Sequence, residues 1–579
     1  MDAPPASAPS GGEAAGSEVA GRRLLDALLR EGYGGLRQRV VYGPTGPRLY
    51  LPGRAAPVSL EPDGFLAELR VRPGCGPALE EVLAAAAEVA AVEDDVTALA
   101  RECRESLRAD VLYLAHRPAV LGRLAAADPY GPGTYHEALA AGVDHPVYPA
   151  ARCRLGLTEE QLLAYAPEFR PSFALRWVAV PGAAVRRTGD RPRWWPRPAA
   201  VGLTEASGDE LLPVHPLMLD GPLREASVAG IRVGPEPYLC VTPTLSMRTV
   251  AVTTDPSVHL KLPLPVSTLG LRNVRSLVPG TLADGALVAD LLERVSAAEG
   301  GTVLIADESR YAHAGHAYLG YLLRCFPSGL DRDLVLPVAA LTAPAPSGRP
   351  LITELAAEAA DGDPVALFGR YLRALFEWNV TLLVKYGIAL EAHQQNLMLA
   401  LGPYGLRLLV KDNDGAMLHL PRLYAALRGR APGAAAFADQ RLLTTDDHDL
   451  VNVFVTITLH LCAAAPAIAL AEAGVADRGT LLALVRDRLA EALDRYTGEP
   501  AAELMRRLVL DADRLPGKSM VTAGTLVDKS RTRARDINKY YGTSGPNYLR
   551  GLPGAGNGPD AGDDIGQEEN TWNRARPTP

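Results

Sequence analysis

Residues 386–414 read YGIALEAHQQNLMLALGPYGLRLLVKDND, and this stretch decides how the chain is built. An apolar helix written RYLRALFEWNVTLLVKYG runs into it. Two apolar runs on either side of Gly402, Pro403 and Gly405 then read as one β-hairpin. Between helix and hairpin stand six polar or small residues, Glu391-Ala392-His393-Gln394-Gln395-Asn396, and directly after the hairpin comes Lys411-Asp412-Asn413-Asp414-Gly415. Such a junction is where functional side chains are presented. Glu391, Asn396 and Asp412 offer hard oxygen ligands of the kind Mg²⁺ takes beside phosphate oxygens, and His393 is placed to touch a phosphate or a reacting carboxyl. A polar helix cap with a satisfied histidine accounts for any one of these residues, but not for the set.

Upstream, Pro243-Thr244-Leu245-Ser246-Met247-Arg248-Thr249 closes a strand with an arginine among hydroxyls, chemistry suited to phosphate or carboxylate oxygens. Lys261 follows in the strand VHLKLPLPV, then Ser267, Thr268 and Arg272. If STLGLRN opens a helix, Thr268 and Arg272 share a face and the helix N-terminus favours an anion. Earlier still, His145-Pro146 and His215-Pro216 hold histidines on stiff extended backbone, with Arg152 and Arg154 close to the first.

The whole chain is 579 residues, 47% hydrophobic and 22% charged, an ordinary globular composition. Its 59 Lys and Arg against 67 Asp and Glu give a formal charge of −8, the wrong sign for nucleic acid as main partner. Six cysteines without a CxxC pair indicate neither a zinc knuckle nor a disulfide framework and fit a reducing cytoplasm. The start, MDAPPASAPSGGEAAG, lacks the basic and apolar regions of a secretory signal. The apolar stretch 451–470 is broken by Asn452, His460 and Pro466 and reads as a buried core helix, so no membrane is expected.

These textures predict an α+β chain: a disordered tail (1–17), a helical lobe (18–172), a mixed sheet lobe (173–355), a mainly helical lobe with the hairpin (356–544), and a second disordered tail (545–579).

The order HPVYPAARCRLG, YAPEF, LPVHP, PTLSMRT, KLPLPVSTLGLRN, YGIALEAHQQN and KDND resembles the IucA/IucC family of siderophore synthetases that work without a nonribosomal peptide synthetase. The likeness covers roughly residues 145–414 and implies a cupped hand of thumb, fingers and palm, with ATP and Mg²⁺ between fingers and palm. It implies that Ser246, Arg248, Lys261, Thr268 and Arg272 contact nucleotide phosphates and the substrate carboxylate, with His145 beside the acid. Glu391, His393, Gln395, Asn396 and Asp412 then serve ATP and metal, and Arg248, Arg272 and His393 carry the catalysis. The implied reaction adenylates a carboxylic acid such as citrate or a citrate derivative, then joins it to an amine, hydroxylamine or alcohol, in a homodimer. This chain departs from the family at Tyr148, Arg152 and Met218, where a second His, a Lys and a Gln are common, which bears on the identity of the acid.

The residues support the reaction on their own terms, since bringing a carboxylate to the α-phosphorus of ATP joins two anions and needs cations to lower the repulsion. Two other readings compete. Glu391, Asn396 and Asp412 resemble the catalytic loop and metal-binding Asp of kinases, although Glu replaces the expected Asp base and no GxGxxG precedes a strand lysine. The other is a nucleotide-binding pseudoenzyme that acts as a scaffold.

Overall fold

The computed structural model describes residues 11–129, 134–206, 208–219, 221–225, 230–532 and 540–552. Within them the fold is α+β, as the sequence predicts.

The chain begins with α1 (Gly11–Glu31), whose buried Leu24, Leu25 and Leu28 pack on α2 (Leu79–Val89) and α3 (Val96–Ala125). Asp95 starts α3 by accepting from the Ala98 N–H. Of the predicted tail, residues 11–17 are already helical and residues 1–10 lie outside the described residues. The first third is also less helical than its composition suggests. Strands β1 (Val40–Gly43), β2 (Gly46–Leu49), β3 (Val58–Pro62) and β4 (Leu69–Val71) form an antiparallel sheet in that order. They are three to five residues long and β1 is largely exposed, so no alternating pattern betrays them.

A nine-stranded sheet follows, built from β5 (Phe173–Pro181), β6 (Arg186–Thr188), β7 (Asp209–Val214), β8 (Arg232–Val233), β9 (Tyr238–Pro243), β10 (Thr249–Val252), β11 (Asp255–Lys261), β13 (Asp307–His316) and β14 (Leu319–Cys325). Its order is β6-β13-β14-β11-β10-β9-β5-β7, with β8 beside β5. The intervening β12 (Leu304–Ile305) belongs elsewhere. It joins β15 (Leu334–Pro337) and the predicted hairpin, whose strands are Leu397–Gly402 and Gly405–Val410, in a separate four-stranded sheet. The lobe boundary drawn at 355 thus runs through this sheet, because short strands before the Pro-rich stretch pair with strands after it. Gly405 takes φ +76 at the turn, and Gly402 faces it across a two-residue connection.

Behind the hairpin lies the helix Pro364–Thr381, opened by Asp363, which accepts from Val365 N and Ala366 N, and continued to Tyr386. The long helix Asp447–Glu472 is apolar enough to span a membrane by composition, yet 89% of its most apolar window is buried inside the fold, as expected for a core helix. Of the tail predicted from residue 545, residues 545–552 are folded against the rest of the chain and 553–579 lie outside the described residues. Thr543–Pro546 pairs with Arg514–Gly517, the Asn547 amide donates to Val509 O and Ala512 O, and Leu549 is buried. Only the burial of Tyr548 and Leu549, not their Gly- and Pro-rich surroundings, distinguishes these residues from a loose end.

Candidate active site

Stretches of chain from residue 30 to residue 520 meet around one cleft of about 530 Å³. Among the described residues its walls carry seven Lys and Arg side chains against five Asp and Glu, a positive balance in a chain of net charge −8. Such a concave, cation-rich site favours a multiply charged anion.

Residues 391–414 occupy one wall. Glu391, His393, Gln395, Asn396 and Asp412 all line the cleft. Asn396 Nδ2 donates to Glu391 O at 3.1 Å, leaving the amide oxygen as the atom a cation would take. A Cβ on Gly415 would collide with Glu391 Oε2, so glycine here leaves room for that carboxylate. Asp412 sits at φ +65, a left-handed conformation that costs a non-glycine residue and marks a backbone held by its surroundings. Lys261 Nζ reaches Asp412 Oδ1 at 2.5 Å and Arg324 approaches the same oxygen at 3.3 Å. Although burial raises its pKa, these cations outweigh burial and hold the carboxyl well below the usual range.

His393 is half-buried, and desolvation chiefly pushes its imidazole down to about 4, so the ring is neutral at pH 7. Its Nδ1 accepts from Gln395 N at 3.3 Å, which places the proton on Nε2. His145 also lines the cleft, in the same state: Nδ1 accepts from Val147 N and Tyr148 N, and burial pushes its pKa to about 3. Both rings therefore offer Nε2–H donors.

The second wall comes from the nine-stranded sheet. Ser246 and Arg248 line the cleft from the β9–β10 turn, where Ser246 Oγ accepts from Thr249 N and Met247 is left-handed at φ +61. Arg248 Nη1 donates to Ser276 O at 2.8 Å. Lys261, at the end of β11, does not line the cleft; it lies behind it, salt-bridged to Asp412 and Asp414.

The predicted helix at STLGLRN does not form. Leu269 at φ +56 and Gly270 at φ +115 reverse the chain in a loop closed by a Ser267–Val274 bridge, and Gly270 packs so close to Gly524 that a Cβ would lie 2.9 Å from its Cα. Thr268 faces the cleft, but Arg272 turns away and donates from Nη1 to Ala523 O at 3.2 Å. Arg275 takes the cleft position instead, bonded through Nε to Thr268 Oγ1. Burial and the neighbouring Arg248 push its guanidinium down to about 9. The second arginine of RNVRS was the available signal. Lys518, after the strand Arg514–Gly517, also lines the cleft and had no motif around it.

Of the three departures, only Arg152 reaches the cleft, and it is engaged by Asp110 at 2.7 Å and by the carbonyls of Ala141 and Gly142. Tyr148 is buried and donates to Glu102, and Met218 is buried in the core of the nine-stranded sheet. These two positions therefore carry no information about the acid.

Glu391, Asn396 and Asp412 form a set of two carboxylates and one amide, a donor set that suits Mg²⁺. Among the described residues no group of three His, Cys, Asp or Glu side chains is assembled as a metal site.

The sequence pattern of the IucA / IucC family matches residues 136–343, and that of a family described as ferric iron reductase FhuF-like transporter matches 365–540. The latter segment holds one cysteine, Cys462, buried and donating to Ala392 O. Staphyloferrin A synthase of Staphylococcus aureus is 28% identical over 319 residues, 50% of this chain and 54% of that protein. The chain spans little more than half the length of the first curated relatives it matches. The crystal structure of petrobactin biosynthesis protein AsbB from Bacillus anthracis superposes with a TM-score of 0.72 at 15% identity, covering 93% of this chain and 96% of that one. ATP-bound aerobactin synthetase IucA from Klebsiella pneumoniae does so at 0.65 and 19%, covering 92% and 99%. The fold is thus shared with these proteins along nearly their whole length.

Proposed function

We propose, from the premise that residues 136–343 belong to the IucA/IucC family, that this protein is an ATP-dependent siderophore synthetase. It activates a carboxylic acid, citrate or a citrate derivative, as an acyl-adenylate and joins it to an amine, hydroxylamine or alcohol. The observation that carries this reading is the convergence of Arg248 and Arg275 with Glu391, His393 and Asp412 on one cleft.

The chemistry follows from those groups. The acid's carboxylate attacks the α-phosphorus of ATP and pyrophosphate departs, so the cleft must hold two anions together. Arg248 and Arg275 lower that repulsion and stabilise charge developing on the phosphoryl oxygens. His393 donates its Nε2–H to such an oxygen, and His145 donates to the acid. Because its Nδ1 already accepts from Gln395 N, His393 serves here as a donor rather than a proton acceptor. Glu391, Asn396 and Asp412 would hold Mg²⁺, which when bound neutralises phosphate charge. The nucleophile then needs orientation more than activation, since AMP is a good leaving group. Lys261 acts by holding Asp412, and Arg272 by fixing its loop.

Hydroxylamine trapping tests the reading. With ATP and the correct acid, the enzyme should yield the hydroxamate with one AMP and one pyrophosphate for each acid consumed. ADP as product would favour phosphoryl transfer, and ATP bound without turnover would favour a scaffold.

A further inference from the structure

Behind the cleft Lys261 and Arg324 meet the Asp412 side chain, and a third residue, Glu308, holds the backbone of its left-handed turn. Glu308 lies where β13 slips register against β14, between the pairs Asp307–Cys325 and Arg310–Leu323, and such a bulge re-aims the side chains within it. Its side chain is buried to 2% exposure and does not line the cleft. Its Oε1 accepts from Asp412 N at 2.9 Å and from Arg324 Nε at 2.5 Å, and its Oε2 accepts from Asn413 N at 3.2 Å. Arg324, equally buried, reaches on to Asp412 Oδ1 at 3.3 Å. One carboxylate thus takes two consecutive backbone N–H groups of the turn and the guanidinium that meets the turn's functional side chain.

We propose that Glu308 is a positioning residue for Asp412: it fixes the left-handed backbone there and, through Arg324, the direction of the Asp412 carboxylate. The inference rests on the reading that Asp412 serves the nucleotide and its metal. An acid is required at 308 rather than an amide. All three groups it meets are donors, so glutamine would turn an –NH₂ against an N–H or against Arg324.

The test is Glu308→Gln, alone and combined with Asp412→Asn, read in two ways. Hydrogen exchange of the peptide spanning 411–414 should quicken at least tenfold in Glu308→Gln, independent of any activity. The Mg²⁺ concentration for half-maximal acid-dependent pyrophosphate–ATP exchange should rise roughly ten- to a hundredfold, the usual effect of removing a partner behind a metal ligand. Added to Asp412→Asn, the same change should raise it little further, because both act through one carboxylate. An unchanged Mg²⁺ requirement, or effects that multiply in the double variant, would overturn the proposal. Should Glu308→Gln not fold, Glu308→Asp, which keeps the charge but shortens the reach, takes the same two readouts and the same outcomes. If the wild type shows no exchange of pyrophosphate at all, the functional reading has failed, and the amide-exchange result alone decides whether Glu308 holds the turn.

Discussion

Two stretches of this chain carry cleft residues read from the sequence, and they fare differently. In 391–412, Glu391, His393, Gln395, Asn396 and Asp412 all line the cleft. In 261–275, Thr268 alone of the three expected residues does so, while Lys261 stands behind Asp412, Arg272 faces residue 523, and Arg275 fills the place. The first stretch is tied at both ends to a hairpin whose register runs unbroken from Leu397–Val410 to Gly402–Gly405, so the positions of its flanks follow from strand geometry. The second is a loop whose two left-handed residues alter the spacing between hydroxyl and arginine. Motif spacing carries over where regular pairing fixes it and fails where the loop geometry is its own.

The sharpest way to break this contrast is to compare Arg275→Ala with Arg272→Ala. The first should lower the rate of hydroxamate formation by 10²–10³, about 3 kcal/mol, as for loss of a preorganised donor, whereas the second should cost less than about tenfold. Equal losses, or the reverse order, would restore Arg272 to the cleft.

Lys261→Met probes the same stretch through stability. Removing one partner of a buried pair costs roughly 3–5 kcal/mol, and about 2 kcal/mol here because Arg324 still meets the same oxygen. Because the Asp412 carboxyl is depressed, its stabilisation is present above pH 3.8 and is lost as pH falls through the still lower folded value. Urea unfolding of wild type and variant should therefore differ by a constant amount from pH 8 to 5, and converge only under stronger acid.

On the hairpin side, Gly415→Ala should push the Glu391 carboxylate aside and raise the KM for ATP about tenfold with little change in melting temperature, as expected for an outer contact of the metal ligand proposed for Glu391. An unaltered KM would mean that the close approach has no bearing on nucleotide binding.

The smallest effect expected is on pH. His145, His393 and His460 are held at about 3, 4 and 4 by burial, below their ordinary 6.5. Each stays neutral in the fold and takes up a proton on unfolding. Their stabilisation is complete above pH 6.5 and declines as pH falls toward 4. Melting temperature should be flat from pH 8 to 7 and drop below 6.5, less steeply in His393→Asn. A melting temperature at pH 5 equal to that at pH 7.5 would contradict the buried, neutral state.

The helix, the hairpin and the polar junction were readable because periodicity and turn residues act locally. What stayed hidden depends on partners far along the chain. Leu304–Ile305 pairs with Leu409–Val410, and Thr543–Pro546 pairs with Arg514–Gly517, in strands too short to show an alternation. Lys518 lines the cleft just before Val521 N and Thr522 N, which donate to Glu31 near the other end of the chain. Glu102 likewise gathers Tyr148, Gly270 and Thr525 onto one carboxylate, and so sets the loop that turns Arg272 away. No single stretch of sequence contains such an arrangement.

The central claim is that the cleft activates an acid on the α-phosphorus of ATP before any nucleophile enters. Exchange of labelled pyrophosphate into ATP, measured with the acid present and no amine, tests it most directly. The account predicts exchange that requires the acid, persists in Arg272→Ala and is nearly abolished in Arg275→Ala. Absence of exchange with every citrate-type acid, together with ADP and phosphate as products once the nucleophile is added, would contradict it.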